Sequence, residues 1–316
     1  MALGKDMSMG IVVLSSPLPS APFAEALRAA APDIPVWTEQ DDPPADEVEA
    51  LLAWRLKPGI VGRYPRLRLV CSTGAGVDKL LVPDLPAGLP LTRVVDPDQA
   101  VQIAQYVLGC TLRHTRDLTL YAAQQSQRLW RRHPVRPSAR CRIGILGFGA
   151  VGQAIARAFG PVGYPVTGWS RRPKAVAGCV CVHGASGLAQ VLATSDVLVC
   201  ALPLTAETRG LLDHRRLSAL PAGAYVINVG RGEQLVEDDL RRLLDDGHLA
   251  GAALDVFERE PPPADHWVWS HPRVLATPHI AAQAADSVVA AQCVAALRAV
   301  REGRLPDHAI DRHAGY

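Results

Sequence analysis

Arg142-Ile143-Gly144-Ile145-Leu146-Gly147-Phe148-Gly149-Ala150-Val151-Gly152 is the stretch that decides how this chain folds. Ile143 to Leu146 reads as a short buried strand, three glycines follow in the spacing GxGxxG, and Gln153 to Phe159 reads as the opening of a helix. In such a strand, turn and helix the first glycine makes the turn and the second lets a pyrophosphate approach the backbone. The third lets helix and strand pack closely. The phosphates then rest on the unpaired amides of the helix N-terminus. Glycines also end strands for steric reasons alone, so the flanking strand and helix carry the reading. They make Gly147, Phe148, Gly149, Ala150, Val151 and Gly152 a dinucleotide cradle.

The next strand, Pro165 to Trp169, ends about twenty residues on, where an Asp or Glu grips the ribose 2′-hydroxyl of NAD in many such folds. No acid stands there. From Gln153 to Ser195 the chain carries no Asp or Glu, while the strand runs into Ser170, Arg171 and Arg172, with Lys174 close behind. Guanidinium groups bind phosphate oxygens bidentately, and a carboxylate in that place would repel them. The expected cofactor is therefore NADP(H), with NAD the weaker alternative. Two solvated arginines in a surface loop is the plainer reading, and the glycine spacing, which fixes the loop's position beforehand, speaks against it.

The rest of the composition sets limits. At 316 residues with 48% hydrophobic residues, the chain is long enough for two well-packed domains. Its 33 basic residues are offset by 31 acids, leaving a net charge of +2, which argues against a nucleic-acid partner. No apolar run reaches the roughly eighteen residues of a membrane span, and Met1 to Gly10 lacks the features of a signal peptide. A cytoplasmic location is expected. Seven scattered cysteines with no CxxC suggest reduced core thiols rather than a disulfide framework or a metal site.

Before the glycine motif, strands are expected at Ile11 to Leu14, Val36 to Thr38, Leu51 to Trp54 and Leu67 to Cys71, with a helix over Phe23 to Ala30. Such alternation predicts a parallel sheet that takes ligands at the carboxyl ends of its strands. Two loops then matter. Ser72-Thr73-Gly74-Ala75-Gly76-Val77-Asp78 is a small-residue turn that either receives an anion on its amides or simply leads into a helix. Trp54-Arg55 offers an aromatic wall beside a cation. One long helix is expected over Gln99 to Gln127, then a polar excursion carrying Trp130, and a second long helix over Ala281 to Val300.

After the glycine motif, apolar strands Val197 to Ala201, Ala224 to Val229, Ala250 to Leu254 and Val274 to Ala276 run respectively into Leu202-Pro203-Leu204-Thr205, Gly230-Arg231-Gly232, Asp255 and Thr277-Pro278-His279. Reducing a 2-oxo acid with a nicotinamide requires a cation for the carboxylate and carbonyl, an acid for the developing alkoxide, and a partner for that acid. Arg231, His279 and Glu260 have the right chemistry. Each alone has a dull reading as a turn residue, a capped histidine or a solvated acid. Their convergence on one sheet edge favours function.

The ordered set Gly74 to Asp78, Gly147 to Gly152, Leu202 to Thr205, Ile227 to Gly232, Gly251 to Phe257 with Glu260-Pro261, and Thr277 to Ala281 resembles the D-isomer-specific 2-hydroxyacid dehydrogenases over nearly the whole chain. Within that family the chain is most similar to bacterial glyoxylate/hydroxypyruvate reductases, through Ala53-Trp54, Trp169-Ser170-Arg171, Val236 to Leu240 and a tail like Asp311-Arg312 to Gly315-Tyr316. The resemblance implies an α/β fold of two Rossmann-like or flavodoxin-like domains with parallel sheets. A discontinuous substrate domain (1–102 and 284–316) would flank an NADP-binding Rossmann domain (103–283).

The resemblance further implies reduction of small 2-oxo acids, glyoxylate and hydroxypyruvate, to glycolate and D-glycerate, in a homodimer built through the cofactor domain. His279 would be the acid, Glu260 its partner and Arg231 the substrate clamp. Trp54, Ala75 and Gly76, with Arg231 and His279, would meet the substrate. The cofactor would add contacts at Leu202, Pro203, Thr208, Val229, Gly230, Arg231, Asp255, His279 and Ala281, with Asp255 orienting the nicotinamide amide. Departures from the family pattern fall at Pro262, at His266-Trp267-Val268-Trp269 and at Ile103-Ala104-Gln105-Tyr106, and they bear on substrate preference. The alternatives are a reductase of a bulkier 2-oxo acid and a nucleotide-sensing corepressor. The latter would be expected to carry interaction tails. A formate dehydrogenase would pair its histidine with glutamine instead of Glu260.

Overall fold

The computed structural model describes residues 9–311, which fall into two compact units: residues 9–97 with 283–311, and residues 98–282. The N-terminal Met1 to Ser8 and the tail from Arg312 to Tyr316, both used in the sequence reading, lie outside the described residues.

The first unit opens with β1 (Gly10–Leu14), α1 (Ala21–Ala30), β2 (Val36–Thr38), β3 (Val48–Ala53), β4 (Leu69–Ser72) and β5 (Leu91–Thr92). The five strands lie in the order β2-β1-β3-β4-β5 and every pair is parallel. This is the flavodoxin-like order, in which the chain turns back beside β1 and leaves a crevice between the ends of β1 and β3. Leu14 pairs with Ala53 there, so Trp54 leaves the sheet at the crevice, its amide donating to the Leu14 carbonyl at 3.0 Å.

The second unit begins with α2 (Pro97–Thr115) and α3 (Leu118–Ser126), and then carries β6 (Ile143–Leu146), α4 (Ala150–Phe159), β7 (Val166–Ser170), β8 (Val180–His183), α5 (Gly184–Thr194) and β9 (Val197–Cys200). It closes with α6 (His214–Leu217), β10 (Ala224–Asn228), α7 (Glu237–Asp245), β11 (Leu249–Leu254) and β12 (Val274–Ala276). Seven parallel strands stand in the order β12-β11-β10-β9-β6-β7-β8. All four residues of β6 and of β9 are buried, as expected of strands covered on both faces. In α4 the buried face is Gly152, Ala154, Ile155, Ala156 and Phe159, while α7 begins with Glu237, Asp238 and Asp239 against the positive end of its own dipole.

The first unit is completed by α8 (Asp286–Arg301), which packs Val289, Cys293, Val294 and Leu297 against the core formed by Ile11, Val13, Leu27 and Leu52. Arg301 donates from Nε to the buried Glu49 carboxylate of β3 at 2.8 Å, and Arg68 donates to the Val300 carbonyl at 2.8 Å. These bonds tie the two chain segments of that unit together.

Four features differ from the sequence reading. The helix expected over Gln99 to Gln127 breaks at Asp117, which adopts a left-handed backbone (φ 52°). All of α2 after its first residue, Pro97, packs with the second unit, so the two units divide after Pro97 and after Ala282, a few residues from the expected 102 and 283. The helix expected from Ala281 begins only at Asp286. β8 is an edge strand with a half-exposed pattern, and no strand is expected there from the sequence.

Candidate active site

Leu146, Cys200, Asn228, Leu254 and Ala276 stand level with one another across β6, β9, β10, β11 and β12. The chain therefore leaves all five strands along one edge, through Gly147, Ala201, Val229, Asp255 and Thr277. The sheet reverses its order between β6 and β9, which opens a crevice beside Gly147.

The glycine turn is built for an anion. Gly147 has φ +99°, and a Cβ there would lie 2.5 Å from the Ala201 carbonyl oxygen. A Cβ on Gly152 would lie 2.1 Å from the Gly147 carbonyl oxygen, so the start of α4 sits directly on the turn. Gly149 is different: a Cβ there would meet nothing within 4 Å, and as the N-cap of α4 it supplies no side chain to the helix amides. Ala150 and Val151 begin that helix. An open approach to unsatisfied amides fits a pyrophosphate. Phe148 contributes only backbone to this edge, because its ring is buried beneath Gly168 of β7.

Beyond β7, the Ser170 hydroxyl donates to the Arg172 carbonyl at 2.7 Å and pins the basic turn. Lys174 reaches back and donates to the Phe148 carbonyl at 3.1 Å. Arg171 pairs with Glu207 at 2.7 Å. Glu207 belongs to the loop after β9, in which Thr208 donates to the Pro203 carbonyl at 2.7 Å and accepts from the Thr205 amide at 2.8 Å. The sequence reading found Arg171 and Arg172 but gave Glu207 no part, since nothing in a linear pattern places an acid 36 residues away beside Arg171.

Arg231 follows β10 in a turn held from within. Asn228 accepts from the Gly230 amide at 3.1 Å and donates to the Arg231 carbonyl at 3.0 Å. Gln234 accepts from the Arg231 amide at 2.9 Å and donates to the Leu202 carbonyl at 2.9 Å, bridging the loops after β9 and β10. Gly232 has no alternative, since a Cβ would fall 1.8 Å from the Phe257 carbonyl carbon. Gln234 escaped the sequence reading although it lies three residues beyond Arg231.

Past β12, His279 adopts φ +56°, a left-handed conformation uncommon for a side-chain-bearing residue. Its amide donates to the Asp255 carbonyl at 2.9 Å. The Asp255 carboxylate, 1% exposed, accepts from the Thr277 hydroxyl at 2.6 Å and from the amides of Ile280 and Ala281 at 2.9 and 2.8 Å. Tyr106 of α2 lies 2.6 Å from the same Thr277 hydroxyl. Asp255 thus holds the histidine turn in shape, and its expected contact with a nicotinamide amide rests on the resemblance alone. Nδ1 of His279 lies 3.1 Å from both Glu260 oxygens, and Glu260 also accepts from the Phe257 amide at 3.2 Å. A half-buried imidazole oriented by a carboxylate can hold and release a proton.

In the first unit, the turn after β4 is closed by Ser72, whose hydroxyl donates to the Gly76 carbonyl at 2.8 Å and accepts from the Gly74 amide at 3.1 Å. The turn is tight and leads into a single helical turn at Asp78–Leu80, and Ala75 is exposed on its rim. The Trp54 ring carries the Lys79 ammonium 5.2 Å from its centroid, a cation–π contact.

An imidazole held by a carboxylate, past the same sheet edge as an open glycine turn, is a layout that suits a dinucleotide-dependent oxidoreductase. The family model described as "D-isomer specific 2-hydroxyacid dehydrogenase, NAD binding domain" matches residues 108–281. The glyoxylate/hydroxypyruvate reductase A of Yersinia enterocolitica is 37% identical over 297 residues, covering 92% of this chain and 93% of that protein. A D-isomer specific 2-hydroxyacid dehydrogenase from Xanthobacter autotrophicus Py2, solved with NADPH and MES, matches with a TM-score of 0.86 at 39% identity, over 98% of this chain and 100% of that one. The NADPH-dependent glyoxylate/hydroxypyruvate reductase of Sinorhizobium meliloti, solved with NADP and sulfate, matches at 0.89 and 32%, with the same coverage. The chain belongs to the D-isomer specific 2-hydroxyacid dehydrogenase family. It is an NAD(P)-dependent oxidoreductase.

Proposed function

We propose that the protein reduces small 2-oxo acids, glyoxylate and hydroxypyruvate above all, with NADPH as the reductant. The observation that carries this reading is the His279–Glu260 pair, set past the same row of strand ends as the open glycine turn. The basic turn at Ser170, Arg171 and Arg172, with no acid in its own segment, supports NADPH over NADH. The relatives solved with NADPH and with NADP support the same choice of cofactor, and the glyoxylate/hydroxypyruvate reductase of Yersinia enterocolitica supports the substrate.

The amides at the start of α4 would hold the pyrophosphate, and the basic turn the 2′-phosphate. When bound, the reduced nicotinamide supplies the hydride that C2 of the keto acid accepts. Arg231 binds the substrate carboxylate and polarises the C2 carbonyl. His279 delivers the proton to the developing alkoxide, while Glu260 fixes the imidazole plane through Nδ1. Asp255, through Thr277, Ile280 and Ala281, keeps the left-handed turn that presents the imidazole. Trp54 and the amides of Ala75 and Gly76 are the proposed substrate contacts of the first unit, which makes that unit the substrate domain and the second the cofactor domain.

A homodimer built through the cofactor domain completes the reading. The α2–α3 segment and the stretch after it expose Leu118, Leu120, Leu129 and Val135, with Trp130 94% exposed, a concentration of apolar surface that suits a second copy.

The test is a set of 2-oxo acids of increasing size, each assayed with NADPH by the loss of reduced-nicotinamide absorbance. Glyoxylate and hydroxypyruvate should give the highest kcat/KM. A bulky aromatic 2-oxo acid outrunning both would move the assignment to another substrate of the same family.

A further inference from the structure

The fold returns an acid to the one place the sequence had cleared of them. Between Gln153 and Ser195 there is no carboxylate, yet Glu207, from the loop after β9, sits on Arg171 at 2.7 Å. Both side chains are well exposed, 60% for Arg171 and 68% for Glu207, and the pair spans from the end of β7 to the loop that also carries Pro203 and Thr208. Lys174 is bonded to a backbone carbonyl of the glycine turn, and the turn itself is fixed by Ser170 through Arg172. Arg171 is thus held by a carboxylate on another loop, while Lys174 is held by backbone.

We propose that Glu207 is an internal counter-ion of the 2′-phosphate subsite, occupying the Arg171 guanidinium and setting how strongly the protein prefers a 2′-phosphorylated cofactor. The inference rests on the reading of Arg171 as a 2′-phosphate ligand. An ion pair this exposed is weak, so a phosphate carrying nearly two charges and able to accept two parallel bonds displaces it. Displacement is not free: the phosphate enters against a carboxylate that must swing away, and part of its attraction to Arg171 is spent on breaking the existing pair. A cofactor without that phosphate leaves the pair standing. Glu207 therefore narrows the gap between the two cofactors without contributing a contact to either.

The probes are adenosine 2′,5′-bisphosphate and adenosine 5′-monophosphate, titrated calorimetrically into the whole protein, so the readout is affinity and not turnover. Glu207→Gln keeps shape and removes charge. It should tighten the bisphosphate by about two- to five-fold, in keeping with the size of an exposed pair, and leave the monophosphate within about twofold. In an Arg171→Ala background the same substitution should lose most of its effect. Weaker bisphosphate binding in Glu207→Gln would mean that the carboxylate positions Arg171 productively, and it would overturn the proposal. An equal gain with and without Arg171 would also overturn it, since the effect would then be general repulsion. If Arg171→Ala alone leaves the bisphosphate's advantage intact, the 2′-phosphate reading itself falls, and the two failures are told apart.

Discussion

His279 is placed by backbone as much as by side chain: a left-handed φ, an amide bond to the Asp255 carbonyl and two equal approaches to Glu260 leave the ring little freedom. Removing the proposed proton donor by His279→Ala should lower kcat by roughly two to four orders of magnitude while dinucleotide affinity stays close to wild type. Steady-state rates beside a cofactor titration check both halves. Gly152→Ala tests the cradle in the opposite sense. Its Cβ would overlap the Gly147 carbonyl oxygen, so the turn must shift and cofactor affinity should fall well before turnover at saturation does. The placement of His279, Glu260, Arg231 and the glycines past the strand ends was legible in the sequence, because each closely follows an apolar strand, and their proposed roles await the tests above. The contacts of Glu207 with Arg171, of Gln234 with Leu202 and of Tyr106 with Thr277 were not legible, because these partners are neighbours only once distant parts of the chain are folded together.

Among the elements, β6 and β9 carry the crevice, and Asp196 at the foot of β9 holds them level. Its carboxylate accepts from the Arg142 amide at 2.8 Å and from Arg142 Nε at 2.9 Å, and Arg136 approaches it at 2.9 Å. Burial alone would push this carboxyl up, but the hydrogen bonds from Arg142 and Arg136 win and bring it down from 3.8 to about 2. A folded-state pKa below the unfolded one stabilises the protein above the unfolded value, and that contribution is lost as pH falls from near 4 towards 2. Asp196→Asn should therefore cost roughly 1–2 kcal/mol near neutrality, read from urea unfolding, and the difference from wild type should shrink in that acid window. β2 and β12 were legible to the residue although both stand at sheet edges and are only partly buried. The edge strand β8 was not, since Val180 and His183 face solvent and leave no apolar alternation. Nor was the break between α2 and α3, because Asp117 is an ordinary helix-surface residue until its backbone turns left-handed.

In the molecule as a whole, two parallel sheets of five and seven strands each reverse their order once, and each reversal puts chemistry-bearing residues at a crevice. The discontinuous first unit was an expectation of the family resemblance, and the long proline-free helix expected after His279 was the one element that offered a way back to it. The position of the first boundary was not, because the apolar periodicity of α2 gives no sign of which unit its first turn joins. The exposed apolar surface around α3 carries the proposed dimer. Leu120→Asp combined with Trp130→Ala should shift the protein from dimer to monomer in sedimentation velocity, and a wild-type protein that is monomeric at assay concentration would remove that part of the reading. The most direct test of the whole is the ratio of kcat/KM for glyoxylate reduction with NADPH to that with NADH. The glycine turn, the basic turn after β7 and the His279–Glu260 pair together require a ratio well above about ten, the worth of one charged hydrogen bond. A ratio at or below unity, or no oxidation of either cofactor by any 2-oxo acid, would contradict it.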